Sequence, residues 1–559
     1  MVSSTPPAPR RHSLALLTLA FAALSGPVLA QSISSGTIDR VVAGQTVILQ
    51  RFTPPAQAGS VGIAVEDQRG RLDIKAARAV RFRLRALSVE GAAVVPAGDL
   101  ARLWQDRIGQ QITLADLYKI AEAVDAAYLA AGYFSKTVVP VQDFTSGRVR
   151  LQVYEGYVAR IEITSDIAGI ERRLAPYLDR ILAMHPIRVA EAERVLLLMS
   201  DLGGLEIEGT FVRPDKPTGG GLLKLDIAQQ RRSGVIALDN LGSEAVGPVE
   251  IAGNLKLNDV FGRFETTTLT GVTIPDDPRE LGLIQIAQDY PIGHDGLVAG
   301  FSLTHLRQRP GGSLAAQDID VASTIGTTSL SYPLLRRLEA SLFARLELTA
   351  RNDDVDAGGN PVARGKTRWA TASLQYDRTL KAGSLTAEGG LSFGNASDID
   401  MGNVPGDFQF LTAGLDYTRP LGEDTQFRLR ASGQYSPRAL PGAVQFALGG
   451  DPYGWAFDNG SLSGDSGAAV AIEIGHDIDT GLAQLPGLSL SAFADFGTVW
   501  NRDAGGGPGR ESLGSYGLGI SGLLADRVRV QIIAALPWTT PDSLEDTGRK
   551  LLFRLVIPL

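Results

Sequence analysis

The 559-residue sequence contains no cysteine, which excludes disulfide bonds and thiolate metal sites. It contains only five histidines, and their scattered positions do not match the spacing of a metal-binding site. After residue 30 it also lacks any uninterrupted apolar run long enough to form a membrane-spanning helix. If the mature protein enters a membrane, it must therefore span it with β-strands.

The charge and the motif content exclude further classes of protein. The formal net charge is −8, whereas a nucleic-acid-binding protein normally presents a basic surface. The run Gly219-Gly220-Gly221 is a turn rather than a phosphate-binding loop, because no lysine–serine pair follows it. No set of residues resembles a catalytic site. We therefore expect no enzyme activity, no bound cofactor and no nucleic-acid partner.

The N-terminus has the pattern of a secretory signal peptide. Arg10 and Arg11 precede an apolar run over residues 14–24, and small residues end at Ala30, where cleavage is expected. The alternative is a membrane anchor, but the apolar run is short for a span of about 20 residues. Residues 31–79 are interrupted by glycine and proline, so they are predicted to form a linker or extended segment without a helix.

Residues 80–156 and 157–232 are predicted to form two copies of a small α/β module with the order β-α-α-β-β. In the first copy, Thr113 with Asp116 three residues later is typical of a capping box at a helix N-terminus. Gly132 then follows at the position of a left-handed helix end. The sheets of such modules have exposed edges that can accept an extended strand from another chain. The alternative is that the two modules are passive spacers.

Residues 233–559 contain no convincing helix and many runs in which apolar and polar residues alternate, which is the pattern of strands with two different faces. We count about sixteen such runs, an even number as bacterial outer-membrane barrels require. The 64 glycines fit this interpretation, because barrels need small residues at tight turns and in crowded lumens. The fold class is therefore tandem α+β modules followed by an all-β transmembrane barrel of about 16 antiparallel strands. The alternatives are a soluble sandwich or propeller.

A long glycine-rich stretch, residues 440–466, interrupts the regular strands of the barrel. The two strands that follow it each carry a carboxylate on their polar face, Glu473 in one and Asp495 in the other. An oversized loop beside such strands predicts a barrel with a loop folded into a wet lumen. The region is therefore interpreted as an outer-membrane pore with a built-in gate. Alternatively, the carboxylates line a hydrated wall; acid–base chemistry would need a pocket and a nucleophile that the sequence does not offer.

Several short motifs in this chain resemble those of a known family. In the modules, these motifs resemble polypeptide-transport-associated (POTRA) domains, and they occupy residues 87–91, 128–133, 139–142 and 153–156. Two further motifs, at residues 239–243 and 257–262, resemble the start of the barrel in two-partner secretion transporters. The chain is similar to the haemolysin and filamentous-haemagglutinin exporters of that family. The resemblance covers nearly all of residues 80–230 and continues into the barrel.

The resemblance implies a function and a set of partners. Tandem POTRA domains in the periplasm would bind an unfolded exoprotein by strand pairing, and the exoprotein would pass through the lumen and fold outside without nucleotide. An N-terminal helix often plugs the pore in such exporters, but residues 31–79 lack a persuasive one. The alternatives are an outer-membrane protein-assembly insertase, which usually has more modules, and a passive porin or ligand-gated receptor.

The end of the chain implies two further partners. Alternate residues of the last strand lie on one face, which predicts a lipid-facing closing strand; these residues are Leu551, Phe553, Leu555, Ile557 and Leu559. Outer-membrane lipid, including lipopolysaccharide, would contact this face. The barrel-assembly machinery would recognise the strand during biogenesis. The family usually ends in an aromatic residue, whereas this chain ends in Leu559.

The resemblance also assigns a gate, in which an arginine at the tip of the lumen loop meets acidic residues of the wall. Residues Gly449 and Gly450 begin the matching stretch here, and the tip is Gly454-Trp455-Ala456-Phe457, so Trp455 stands where the family has arginine. The run from Phe493 through Asp495 to Gly497 matches the Phe-x-Asp-x-Gly motif of the wall, with Glu473 as its acidic neighbour.

The replacement at Trp455 changes the chemistry that holds the loop. A guanidinium makes charge-assisted and often bidentate bonds to a carboxylate, whereas an indole offers one neutral donor. We expect the tip to reach the wall with Trp455 near Asp495 or Glu473. We also expect these acids to lack their usual cation unless Arg428, Arg430 or another base in the lumen supplies it.

Overall fold

The structure is a computed structural model. It describes residues 45, 61–66, 74–212, 219–398, 406–482, 484–502, 509–525, 527–544 and 548–559. The predicted signal peptide and most of the predicted linker lie outside these residues. None of the helices in the described part combines the length and the apolar character that crossing a membrane requires.

Two elements form inside the segment that the sequence predicts to be a linker. Strand β1 spans Val61–Glu66, and helix α1 spans Ile74–Ala79. The buried side of α1 places Ala77 in the core of the first module. The interpretation of residues 31–79 as a segment without helix is therefore corrected for these residues. The sequence could not reveal the role of β1, because its partner strand lies far along the chain and local alternation does not identify a partner.

The first module has a three-stranded sheet packed on a long helix. Its elements are β2 (Arg81–Arg83), β3 (Ala86–Glu90), α2 (Ala97–Ala101), β4 (Gln111–Thr113), α3 (Leu114–Ala130), β5 (Ser135–Val138) and β6 (Arg148–Glu155). The sheet order is β3-β6-β5, while β2 pairs separately with β4. The capping box forms as predicted, because the Asp116 amide donates to Thr113 Oγ1 at 3.2 Å and the Thr113 amide donates to Asp116 Oδ2 at 3.0 Å. Gly132 ends α3 with a φ of 87°.

The second module repeats the predicted order. Its elements are β7 (Tyr157–Thr164), α4 (Ile170–Leu182), α5 (Val189–Ser200), β8 (Leu205–Val212) and β9 (Gly220–Gln229). The sheet order is β1-β8-β9-β7, so β1 adds a fourth strand at the β8 edge. It runs parallel to β8 over six residue pairs, from Val61 opposite Ile207 to Glu66 opposite Val212.

The rest of the chain closes into a sixteen-stranded antiparallel barrel, which confirms the predicted fold class and excludes an open sandwich. The strands are β10 (Arg232–Asp239), β11 (Glu250–Asn258), β12 (Thr266–Thr273), β13 (Leu281–Ile292), β14 (Leu297–Gln308), β15 (Ile319–Arg336), β16 (Ala340–Ala357), β17 (Asn360–Leu380), β18 (Gly383–Asp398), β19 (Asp407–Pro420), β20 (Thr425–Tyr435), β23 (Ser466–Leu482), β24 (Leu485–Trp500), β25 (Arg510–Leu524), β26 (Val528–Thr539) and β27 (Lys550–Pro558), while β21 (Phe446–Leu448) and β22 (Leu462–Gly464) belong to a loop. Along β23, Val470, Ile472 and Ile474 are exposed and Ala469 and Ala471 are buried. This alternation gives the cylinder an apolar outer face.

The second module packs against the barrel turns at the end of the cylinder that lies nearest to it. Arg173 of α4 contacts Asp259 at 2.5 Å and lies 3.8 Å above the ring of Phe264, and both partners belong to the turn after β11. Asp201 at the end of α5 receives two hydrogen bonds from Arg336 of β15 at 2.7 and 2.9 Å. The turn between β13 and β14 is held to α4 by the ion pair of Arg180 with Asp295 at 2.7 Å. Three barrel turns therefore fix the position of this module.

Candidate functional site

The loop between β20 and β23 folds back into the barrel. It leaves the wall after Tyr435 and rejoins it at Ser466, close to the predicted bounds of 440–466. Within it, β21 and β22 pair as a short antiparallel hairpin. The tip between these two strands is buried at Gly449, Gly450, Gly454, Trp455, Ala456 and Phe457. Few residues of the tip are exposed, because the tip lies inside the barrel.

Two glycines permit the tight turn at the tip. Gly449 has a φ of 114°, and a Cβ there would lie 2.1 Å from the carbonyl oxygen of Asp458. Gly454 has a φ of 125°, and a Cβ there would lie 2.9 Å from the Cα of Gly449. Residues with a side chain rarely adopt this conformation, so both positions require glycine. The backbone of the tip is therefore folded against itself.

Trp455 is anchored in an apolar cluster rather than in a polar pair. Its side chain is 5% exposed, and its ring centroid lies 5.7 Å from that of Phe493 on β24. We call the surrounding set the tip cluster; its buried members are Leu241, Leu448, Trp455, Ala456, Phe457, Leu462, Ala469, Val499, Leu513, Ile533, Ala535, Leu544 and Leu552. The members come from the loop and from the inner wall. Burial of a tryptophan-sized surface thus holds the tip where the resemblance predicts an arginine.

The acidic wall residue Asp495 does lie beside the tip. Its carboxylate accepts hydrogen bonds from the Ser515 amide at 3.1 Å and from Ser515 Oγ at 2.5 Å. It also accepts one from the backbone N–H of Trp455. Two residues further along β24, Gly497 leaves room for Leu448 of the loop, because a Cβ there would lie 2.6 Å from that side chain. The structure thus brings Trp455, Phe493, Asp495 and Gly497 together.

Glu473 lies in a different environment from Asp495. Its Oε2 is 3.6 Å from a guanidinium nitrogen of Arg430 on the neighbouring strand β20. Of the two arginines suggested by the sequence, Arg430 makes this ion pair, and Arg428 lies directly opposite Glu473 in the strand register. Arg428 makes a pair with Asp416 of the wall at 2.5 Å.

The charges that hold the tip are reversed relative to the expected arrangement. The tip contributes two buried acids, Asp451 and Asp458, and the wall contributes the bases. Asp451 lies 3.2 Å from Arg430 of β20 and 3.6 Å from Arg554 of β27. Asp458 pairs with Lys550, also of β27. These pairs were not predicted from the sequence, in which two aspartates in a glycine-rich loop were the only available signal.

A residue of the predicted linker also lies inside the barrel. Gln45 is helical and fully buried, and its side-chain oxygen accepts a hydrogen bond from Arg351 of β16 at 2.9 Å and one from Ser323 of β15. Arg351 is itself buried and contacts Asp353 at 2.8 Å. No persuasive helix is visible in the sequence of this region, because glycine and proline interrupt it.

The POTRA-like motif residues are mostly internal supports of the first module. Glu155 accepts hydrogen bonds from the Tyr128 hydroxyl at 2.8 Å and from the amides of Ala93 and Val94 at 2.7 and 2.9 Å. The Gln142 side chain donates to the Arg150 carbonyl and accepts from its amide, both at 2.8 Å. The Glu155 contacts tie the sheet to the long helix, and the Gln142 contacts hold the connection after β5 against β6.

The last strand, β27, closes the barrel by pairing with β10 over five residues, Val235–Asp239 opposite Arg554–Pro558. Leu551, Ile557 and Leu559 are exposed on the outer face, while Phe553 and Leu555 are half-buried. Leu552 points inward and belongs to the tip cluster. In the described residues, no group of three or more histidine, aspartate or glutamate side chains is arranged to hold a metal ion.

Tandem α/β modules docked on a closed sixteen-stranded barrel with a loop inside its lumen define a protein of the POTRA-plus-barrel class of the outer membrane. Residues 223–522 match the haemolysin secretion/activation protein ShlB/FhaC/HecB family, and residues 82–156 match the ShlB-type POTRA domain. Because the first match covers more than half of the chain, the chain belongs to that family.

Curated relatives and a solved structure agree with this assignment. The heme/hemopexin transporter protein HuxB of Haemophilus influenzae is 22% identical over 420 residues, 72% of this chain and 73% of the relative. The outer membrane transporter CdiB of Escherichia coli is 22% identical over 478 residues, 76% of each chain. The solved structure of CdiB from Escherichia coli has a TM-score of 0.70 at 17% identity and covers 95% of this chain and 100% of its own. That likeness shows the shared fold.

The protein is therefore an outer-membrane transporter of the two-partner secretion class, which moves a partner exoprotein from the periplasm to the cell surface. Its POTRA modules lie in the periplasm. Membership of this family favours the transporter over the assembly insertase and over the passive porin or receptor. The family is a family of transporters, and nothing in it points to catalysis.

Proposed function

We propose that the structure is the closed resting state of an exporter whose gate is the lumen loop. The observation that carries this proposal is the position of the loop tip, which is buried against the inner wall by Trp455 and by the pairs of Asp451 and Asp458. A polypeptide chain that crosses the lumen needs part of this space. Export then requires the tip to leave its position, at least in part.

A second residue that takes up space in the lumen is Gln45. Its contacts with Arg351 and Ser323 place it against the wall formed by β15 and β16, whereas the tip cluster is built largely on β23 to β27. The loop tip and Gln45 therefore contact different parts of the inner wall. We infer that both are displaced during export.

The exoprotein is bound first by the sheet edges of the periplasmic modules. An exposed edge presents unpaired amide and carbonyl groups, and an extended chain can satisfy them by adding a strand. In the second module the edge beside β8 is already filled by β1. We propose that an exoprotein strand competes with β1 for this edge. No nucleotide takes part, since folding of the exoprotein outside the cell makes its return unfavourable.

Two further partners follow from the outer surface of the barrel. The belt of exposed apolar side chains fits the hydrocarbon and lipopolysaccharide of the outer membrane. The outward residues of β27, including Leu551, Ile557 and Leu559, are proposed to form the strand that the barrel-assembly machinery recognises.

The test of the function is deletion of the gene followed by proteomics of the culture medium and of the outer membrane. We expect a specific exoprotein to disappear from the medium and to return when the wild-type chain is supplied. A general loss of barrel proteins from the outer membrane, with an unchanged medium, would instead support an assembly insertase. An unchanged medium and an unchanged membrane would contradict both functions.

A further inference from the structure

The seam between the first and last strands of the barrel is its shortest junction. Strands β10 and β27 face each other over five residue pairs, whereas the neighbouring pairs β10–β11 and β26–β27 have eight and seven. Fewer ladder pairs mean fewer backbone hydrogen bonds holding these two strands together. Hydrogen bonds of Asn240 with Leu551 and Phe553, and of the Leu559 amide with Gly234, continue the seam beyond the ladder, and the lumen loop adds further contacts to it.

The chain on both sides of the seam is bound by one stretch of the lumen loop, residues 458–459. Asp458 pairs with Lys550 of β27 and also accepts from the Glu244 amide, in the loop that follows β10, at 3.3 Å. The next residue, Asn459, donates to the carbonyl of Leu241 just after β10 at 2.7 Å. Two consecutive residues of the loop thus contact the start of β27 and the segment after β10 from inside the barrel.

Asp451 makes a similar connection deeper in the lumen. It lies 3.6 Å from Arg554 of β27, and Arg554 in turn lies 3.9 Å from Asp239 of β10. The other oxygen of Asp451 faces Arg430 of β20 at 3.2 Å. Asp239 and Arg554 are opposite each other in the seam register. Asp451 therefore contacts the last ladder pair of the seam and ties it to β20.

We propose that the lumen loop is a clasp that keeps the β10–β27 seam closed, with Asp451 and Asp458 as the residues that position it. The acids belong to the loop and the bases to the wall, which is opposite to the arrangement expected from the resemblance. All of these charged groups are half-buried or buried, so each needs its partner more than it would in water. Withdrawal of the tip would leave Lys550 and Arg554 without these acids and weaken the seam together with the gate.

The inference rests on the proposed function for its role in export, but the clasp can be tested on purified protein without cargo. The test uses the full chain with both Asp451→Asn and Asp458→Asn. Channel opening is recorded in planar bilayers, and the unfolding temperature is measured by heating the protein in SDS. The channel of the double variant should open more often than that of the wild type, and its unfolding temperature should be lower by about 5 °C or more. Asp416→Asn is the matched control, because it removes an acid that pairs with Arg428 of the wall.

A disulfide distinguishes a seam clasp from a simple lid. The chain has no cysteine, so Ala237→Cys with Val556→Cys gives one defined bond across the seam. Ala252→Cys with Val272→Cys is the matched pair between β11 and β12, with the same two residue types replaced. The seam disulfide should return the double variant to the wild-type opening frequency and unfolding temperature, and the matched disulfide should not.

Two outcomes would overturn the clasp. The first is that the seam disulfide leaves the extra opening of the double variant unchanged, so that the loop acts on the lumen alone. The second is that the double variant behaves as the wild type does. If the double variant does not assemble, Lys550→Gln removes one wall partner and is compared in the same way. If the clasp fails its test but secretion of the exoprotein depends on this chain, the proposed function stands. If the clasp passes its test but secretion does not depend on this chain, the function alone is contradicted.

Discussion

At the scale of single residues, Trp455 shows how an apolar contact can take the position of an ion pair. Its indole packs on Phe493 while its backbone N–H reaches Asp495. Asp495 receives its other hydrogen bonds from Ser515, so the hydrogen bonds described for this carboxylate come from neutral donors, and Arg430 acts on it only as a nearby charge. The tip is held on this side by burial, and its charged contacts are made by Asp451 and Asp458.

This arrangement predicts a strong effect of Trp455→Ala. The change removes a large buried side chain and should weaken the packing of the tip by about 3–5 kcal/mol. We expect a higher conductance of the purified protein in planar bilayers. The control is Trp538→Ala, which removes an indole that lies mainly outside the barrel and donates to the Asp495 carbonyl. Equal conductance of both variants would contradict a role for Trp455 in holding the tip.

The sequence predicted part of this site. The alternation of strands, the long loop and the Phe-x-Asp-x-Gly motif together bring Trp455, Phe493 and Asp495 into view, because each is a local pattern. The partners of Asp451 were not predictable in the same way. Arg554 lies about a hundred residues further along the chain, and only barrel closure brings β27 beside the loop. Long-range ion pairs leave no periodic signal.

At the scale of elements, β1 is the clearest difference between sequence and structure. Its six residues look like part of an extended linker, yet they form a parallel strand on β8. Helices such as α4 are predictable because their apolar periodicity is local and repeated. A short edge strand owes its existence to a partner sheet, and its own sequence does not reveal one.

The position of β1 predicts that removing it exposes a binding edge. Replacing residues 61–66 by six glycine and serine residues should increase amide exchange in β8 severalfold and strengthen binding of an exoprotein strand to the second module. Hydrogen exchange with mass spectrometry measures the first effect, and titration with exoprotein peptides measures the second. Strand β6 of the first module serves as the internal reference. Weaker peptide binding after the replacement would mean that β1 helps to recruit cargo.

At the scale of the whole molecule, ion pairs join the second module to three turns of the barrel. The Arg173–Asp259 pair is the best placed for a pH test, because it lies on the periplasmic side and outside the membrane. Burial raises the pKa of Asp259, but hydrogen bonds from Arg173 and from the Phe264 amide outweigh it and hold the pKa below its usual value. Because the pKa of Asp259 is lowered, the pair stabilises the docked state at every pH above the usual pKa of an aspartate. This stabilisation is lost as the pH falls through the lowered pKa.

The module should therefore remain docked from pH 8 to pH 5 and loosen only below about pH 4. Asp259→Asn should loosen the docking already at pH 7 and remove its share of the pH dependence. Spin labels on single cysteines in α4 and in a barrel turn would report the distance by pulsed electron paramagnetic resonance. Arg160→Gln is a matched control, because it breaks an exposed pair with Glu162 on β7. A distance that changes between pH 8 and pH 5 in the wild type would contradict rigid docking.

The docked module also sets a length for the cargo. Because turns after β11, β13 and β15 all hold it, the receiving edge stays at one distance from the mouth of the barrel. In the proposed mechanism, one part of the exoprotein pairs with this edge while another part enters the gate. We therefore predict that a cargo must carry a minimum number of residues between its docking strand and the first segment that passes outward.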